Sequence, residues 1–280
     1  MEKITLKNGK WEATVVPAYG MTTTALTYDG EAILRAPASD EAFEKRPTVY
    51  GVPLLLPPSR TEGGKFTFDG VEYNLPINEP ARGNHLHGFL NRTPFTITEQ
   101  TESAVCAYLD NKGEIFPFPF RAGVKFTLDE SGYKQEFTIE NTGDKDMPLL
   151  FGLHSNFAEK DSFVVPIAKR LALNERLLPT GETLELSEQE KTFRVGGNSH
   201  GVPMEGAFTS DGCVAKTGKM RYTVSENFTR WVLWNEDGLG GFYSLEPLSG
   251  TINALNTGDG LIRLGVGEST TFTTHIGPDK

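Results

Sequence analysis

Period-two alternation of apolar and polar residues runs through most of this chain, and turn residues interrupt it about every ten positions. Val124, Phe126 and Leu128 alternate with Lys125 and Thr127, and Tyr133–Glu140 repeats the pattern with Phe137 and Ile139 on one face. Between them Asp129-Glu130-Ser131-Gly132 supplies a turn, because glycine tolerates the positive φ that a tight hairpin needs. Phe66-Thr67-Phe68 and Val71-Glu72-Tyr73, joined by Asp69-Gly70, read as a second hairpin. Further strands are expected at Trp11–Val16, Thr22–Tyr28, Phe95–Thr98, Ala104–Leu109, Phe163–Val165, Thr192–Arg194, Arg221–Val224, Trp231–Trp234 and Thr270–His275. Helical periodicity is weak, and only Ser39–Arg46, with Ser39 as N-cap, reads as a short helix. Short strands at this spacing build sandwiches or barrels, not βαβ units. The expectation is an all-β chain with few or no helices, forming one domain over residues 1–280.

Composition narrows the function. The 280 residues include 18 Phe, enough for a large packed interior, and 30 Gly with 17 Pro suit many turns. A formal net charge of -10 argues against a nucleic-acid or anionic membrane surface, which would need clustered Lys and Arg. It leaves room for a small ligand, even a phosphorylated one. Two cysteines, Cys106 and Cys213, are too few for a disulfide framework and are expected to be reduced. Met1–Trp11 is charged and has no apolar run, so no signal peptide or membrane span is expected and the simplest location is the cytoplasm. On that basis the glycosylation patterns at Asn91 and Asn227 are chance matches. Gly196–Gly201 lacks the lysine and the strand-to-helix setting of a phosphate-binding loop. The sequence leaves monomer and homodimer equally open.

Three polar clusters interrupt the strand pattern: Asn84-His85-Leu86-His87-Gly88, Gly152-Leu153-His154-Ser155-Asn156-Phe157 and Ser244-Leu245-Glu246-Pro247. They hold three of the five histidines and a carboxylate in an apolar stretch, the pairing that proton transfer needs. His154 ends an apolar run, Pro148–Leu153, and is either a satisfied core histidine or a site group. Glu246 follows the aromatic stretch Gly240–Ser244 and is either a rim carboxylate or a buried base with a raised pKa. His85 and His87 would share a face of a strand, which invites a metal reading. Gly88–Asn91 supplies no carboxylate to complete such a site, so no metal is expected, and the alternative is a loop with His85 exposed. Arg60, after Pro57-Pro58, offers a held guanidinium fork for hydroxyls or a carboxylate, or else forms a surface salt bridge.

Taken in order, these segments resemble the aldose 1-epimerase (galactose mutarotase-like) superfamily over nearly the whole chain. Val16–Gly20 looks like that family's early proline-glycine strand, and Ser59-Arg60…Gly64-Lys65-Phe66 is similar to its Asn-Arg…Gly-x-Phe segment. Asn84–Gly88 resembles its Asn-x-Leu-His-Gly motif, Asn141–Pro148 its approach to a second histidine, and Leu245-Glu246-Pro247 with Gly267-Glu268-Ser269 its C-terminal motifs. The resemblance implies a large antiparallel β-supersandwich holding a sugar on an open concave face, and a reaction that needs no cofactor. It also implies roles: Glu246 as general base on the anomeric hydroxyl and His154 as general acid on the ring oxygen. His87, Arg60 and His85 would bind substrate, with Glu205 as the nearest counterpart of the family's binding aspartate. Ser59 replaces the family's asparagine, and His154-Ser155-Asn156-Phe157 replaces His-x-Tyr-Phe-Asn. Two other readings remain. One is a hexose-6-phosphate epimerase, with Arg82 or Arg121 on the phosphate. The other is a non-catalytic sugar-binding module using Trp234 or Phe89 as a platform.

Overall fold

The computed structural model describes residues 1–279. Two large antiparallel sheets face each other. The first runs, in spatial order, Thr96–Gln100, Ala104–Asn111, Phe120–Asp129, Gly132–Asn141, Ser269–Pro278, Met220–Val224, Val214–Thr217 and Phe163–Val164. The second runs Pro179–Leu184, Ile167–Leu173, Glu205–Ser210, Arg230–Trp234, Phe242–Leu248, Gly152–Leu153 and Leu54–Leu55, with Ser155–Ala158 also paired to Phe242–Leu248. A smaller sheet, Ile4–Asn8, Trp11–Val16, Thr22–Tyr28 and Glu31–Ala32, comes from the N-terminal residues. This is the expected β-supersandwich, with three short helices at Asp40–Lys45, Glu188–Thr192 and Ala254–Thr257.

Alternation decides which residues fill the space between the sheets. On Arg230–Trp234, Trp231 and Leu233 point into the core while Val232 and Trp234 face the other way. Phe151 stacks on Phe272 at 4.8 Å between ring centres and packs against Phe137 at 5.5 Å, joining the sheets through aromatic contact. Burying each such ring contributes about 1.5–3 kcal/mol. The polar tips are satisfied between the sheets: Tyr243 OH lies 2.7 Å from Thr217 Oγ1 and Tyr222 OH 2.9 Å from Ser155 Oγ.

Both hairpins form as read. Asp129 pairs with Gly132, and Phe68 with Val71 across Asp69 and Gly70, which have φ of 49° and 77°. The helix expected at Ser39–Arg46 is Asp40–Lys45, and Ser39 Oγ accepts from Ala42 N at 3.1 Å. Thr192–Arg194 is not a strand. It closes the helix Glu188–Thr192, which Ser187 and Glu190 start with a reciprocal capping box. Five residues are too few for periodicity to register there. Cys106 and Cys213 are free thiols. No described helix is long and apolar enough to cross a membrane.

Candidate active site

Residue register brings His154 and Glu246 together. Gly152 pairs with Leu248 and Ser155 with Leu245, so continuing that register places His154 opposite Glu246. Pairing breaks at this point: His154 falls between the two short strands, and its backbone N–H donates to Pro53 O at 3.1 Å instead. Pro247 fits such a place in an inner strand because it brings no N–H to a ladder. The row extends through Val232, opposite Glu246, to Ala207, opposite Val232. All four side chains line one cavity of about 480 Å³ on the face of the sheet turned away from the core.

His154 Nε2 lies 3.4 Å from Glu246 Oε1, and the residues are only 5% and 3% exposed. Burial pushes the Glu246 carboxyl up to about 8, partly opposed by the Arg60 charge. Burial pulls the His154 imidazole down to about 4, partly opposed by its hydrogen bond to Asn156. The two effects together leave the pair with a single proton across the neutral range, to be held on either oxygen or nitrogen.

Asn156 sets which nitrogen faces the carboxyl. Its Nδ2 lies within 2.7 to 3.1 Å of three carbonyl oxygens, those of His154, Thr48 and Gly51. That fixes Oδ1 as the acceptor side, and Oδ1 takes hydrogen bonds from Ser244 Oγ at 2.7 Å and His154 Nδ1 at 3.1 Å. With Nδ1 donating, Nε2 of the neutral ring presents a lone pair to Glu246. The ring of His154 stands edge-on to Trp234 at 5.7 Å and to His87 at 5.5 Å.

His87 has its tautomer fixed as well. Its Nδ1 accepts from Ser59 N at 3.2 Å, which leaves Nε2–H as a donor. Burial, with the nearby charges of His154 and Arg60, holds it well below its ordinary value, so the ring is neutral. His87 adopts a left-handed φ of 64° just outside the strand Asn84–Leu86, and Gly88 follows at 64°. A Cβ on Gly88 would meet Leu56 O at 1.9 Å, so only glycine lets the chain pass there.

That turn separates the two histidines of the H-x-H pair. His85 is fully buried, not exposed; its Nδ1 lies 2.7 Å from Pro76 O, and it does not line the cavity. The pair therefore does not converge on one ion, and sequence spacing alone could not reveal a turn after Leu86. Arg60 does line the cavity, gripped by Glu79 through Nε to Oε2 at 3.0 Å and Nη2 to Oε1 at 2.9 Å. Burial raises Glu79, but Arg60, Asn84 and Arg82 more than reverse this and hold it below its ordinary value. Glu79, not the Pro57-Pro58 lead, is what fixes the guanidinium. Glu205 and Trp234 line the cavity, whereas Phe89 packs edge-on to His85 away from it. Arg121 is also elsewhere, in a two-point ion pair with Asp110 on the opposite sheet.

A family model described as aldose 1-epimerase matches residues 2–277. The chain belongs to the aldose 1-epimerase family. Its structure superimposes on a galactose mutarotase-like protein of Clostridium acetobutylicum with a TM-score of 0.91 at 26% identity, over 99% of this chain and 95% of that one. Galactose 1-epimerase from Lactobacillus acidophilus NCFM shares the fold, with a TM-score of 0.79 at 18% identity over 99% and 94% of the two chains. Among curated proteins, YihR of Escherichia coli (strain K12), which is uncharacterized, is 27% identical over 189 residues. That match spans 64% of this chain and 59% of YihR, so the chain covers under two thirds of the relative's length.

Within this family member, residues that sequence reasoning passed over complete the site. Glu79 had no motif to mark it, and Asn156 and Ser244 stood inside singled-out clusters without an assigned role. Lys45, Arg46 and Arg92 also line the cavity; the first two end the segment read as a short helix, and Arg92 stands in the glycosylation pattern at Asn91, so neither reading gave them a role.

Proposed function

We propose that this protein interconverts the α and β anomers of an aldose, with Glu246 and His154 as its acid–base pair. The observation that carries this reading is the 3.4 Å contact between His154 Nε2 and Glu246 Oε1 at the buried end of an open cavity. Mutarotation needs a proton removed from the O1 hydroxyl and one delivered to the ring oxygen. Both oxygens are bonded to C1, so the two groups that serve them must be neighbours.

Starting from carboxylate and imidazolium, Glu246 takes the O1 proton as the C1–O5 bond breaks, and O1 becomes a carbonyl. His154 gives its proton to O5. Rotation about C1–C2 turns the other face of the carbonyl to O5. In the reverse transfers O5 attacks C1, His154 regains the O5 proton, and Glu246 returns its proton to O1. The pair carries one proton before ring opening, on His154, and one after it, on Glu246, where burial favours it at neutral pH. The balance closes without a cofactor. His87 Nε2–H supports the ring-oxygen side as a neutral donor, while Arg60 and Glu205 meet hydroxyls.

Two-dimensional exchange NMR on free and 6-phosphorylated aldoses, measured on wild type and Glu246→Gln, tests the reading. Enzyme-accelerated exchange that the variant loses supports it. Accelerated exchange that persists in the variant removes Glu246 as the base, and no acceleration for any aldose removes the function.

A further inference from the structure

The chain is acidic overall, yet its cavity is not. Five cationic side chains line it, Lys45, Arg46, Arg60, Arg82 and Arg92, against the carboxylates of Glu205 and Glu246. Three of the five are committed to protein partners. Arg46 pairs with Glu236, and Arg60 and Arg82 share the single carboxylate of Glu79. Lys45 and Arg92 have no carboxylate within salt-bridge distance and no side-chain hydrogen bond among the described residues, and both are exposed. They come from segments that pack on each other, because Lys45 leads into the turn Pro47–Val49, which rests against the turn Leu90–Arg92.

Cations left unpaired on one wall of a cavity raise the local concentration of anions and have donors free to bind them. Glu205 stands on the floor strand Glu205–Ser210, so like charge directs an anionic group away from it and towards that wall. Arg60 and Arg82 add a surplus positive charge beyond what Glu79 neutralises. A neutral hexose, which presents only hydroxyls and ring C–H groups, would leave the Lys45 and Arg92 charges unused.

We propose that Lys45 and Arg92 form a subsite for an anionic substituent, so that the preferred substrate is an aldose bearing a phosphate or carboxylate remote from C1. The proposal rests on the mutarotase reading for the placement of C1 at Glu246 and His154. Phosphate and carboxylate share the chemistry that these donors recognise, and comparing the two separates them.

The test uses D-glucose, D-glucose 6-phosphate and D-glucuronate with wild type and the K45Q/R92Q double variant. Both side chains are exposed, so the fold does not depend on them. Anomer exchange is followed by NMR, and binding is measured separately by calorimetry on each sugar. In wild type, kcat/KM for one of the two anionic sugars exceeds that for glucose by about tenfold or more, as one or two charge-assisted contacts supply. Rising salt shrinks this ratio. In the double variant the anionic-to-neutral ratio falls about tenfold or more. Which anionic sugar gains more names the substituent. A wild-type ratio near one, or a ratio that the double variant leaves unchanged, overturns the subsite while leaving the mutarotase reading intact. Tighter binding of an anionic sugar that the double variant abolishes, with no exchange for any sugar, supports the subsite and overturns the reaction. No exchange together with no preferential binding overturns both.

Discussion

Replacing Glu246 with glutamine should make the protein more stable at alkaline pH while removing its activity. The carboxyl is 3% exposed and takes up a proton at about 8 in the fold, against an ordinary value of 4.5. A group whose pKa is raised by folding contributes stability that is fully present below 4.5 and is lost as pH rises through about 8. At about 1.4 kcal/mol per pH unit, the gap between 4.5 and 8 amounts to about 5 kcal/mol as an upper bound. Glutamine has nearly the same shape and no proton to lose, so the variant escapes the decline. For a chain of 280 residues the unfolding entropy is about 0.6 kcal/mol/K, which converts 5 kcal/mol into about 8 °C. His154 acts in the opposite sense. Lowered from 6.5 to about 4, it contributes stability that is present above 6.5 and lost as pH falls through 4. That contribution is common to both proteins and drops out of their difference. Calorimetric melting at constant ionic strength from pH 5 to pH 9 should therefore show the variant's Tm pulling ahead by several degrees as pH rises. A Tm difference that is the same at pH 5 and pH 9 would refute the buried, proton-holding carboxyl.

The pH dependence of exchange should be a plateau between about 4 and about 8, because the pair carries its single proton in that window; a rate still climbing at pH 9 would contradict it. Asn156→Asp places a negative charge beside His154 Nδ1 and should move the acid limb of that profile to higher pH, which the same titration detects. Asn156→Ala takes a donor from three carbonyls, of which Gly51 O keeps the backbone N–H of residue 156, and should lower unfolding stability in urea by about 1–3 kcal/mol and slow exchange as well. Gly88→Ala forces a Cβ against Leu56 O at a φ of 64°, and should destabilise by about 2 kcal/mol or more and weaken sugar binding through His87, read by urea melts and calorimetry.

Much of this architecture was legible because period-two alternation reports directly which face of a strand is buried. Val124, Phe126 and Leu128 announced both a strand and the side on which its core lay, and the Asp-Gly at 69 and 70 announced the turn of a second hairpin. The helix at Glu188–Thr192 escaped because its evidence is a local capping interaction rather than a period. At the site, Glu246, His154, His87 and Arg60 could be singled out by chemistry in unexpected surroundings and Glu205 through the family resemblance alone, and all five line one cavity. His85 could be singled out in the same way, yet it points elsewhere, because the left-handed turn at His87 is set by contacts with Leu56 and Ser59, about thirty residues earlier in the chain. Glu79, Lys45 and Arg92 were silent for the reverse reason. Each is an ordinary charged residue on an ordinary segment, and only the folding of distant segments brings it to the cavity.

The central claim is that Glu246 and His154 work as one proton-carrying unit. Exchange NMR on wild type, Glu246→Gln, His154→Gln and the double variant tests it most directly. Each single change should cost about 10²-fold or more in exchange rate, and the double should be little worse than either, since half of such a pair cannot turn over alone. Losses that multiply in the double variant, or a single variant that exchanges anomers at the wild-type rate, would contradict the account.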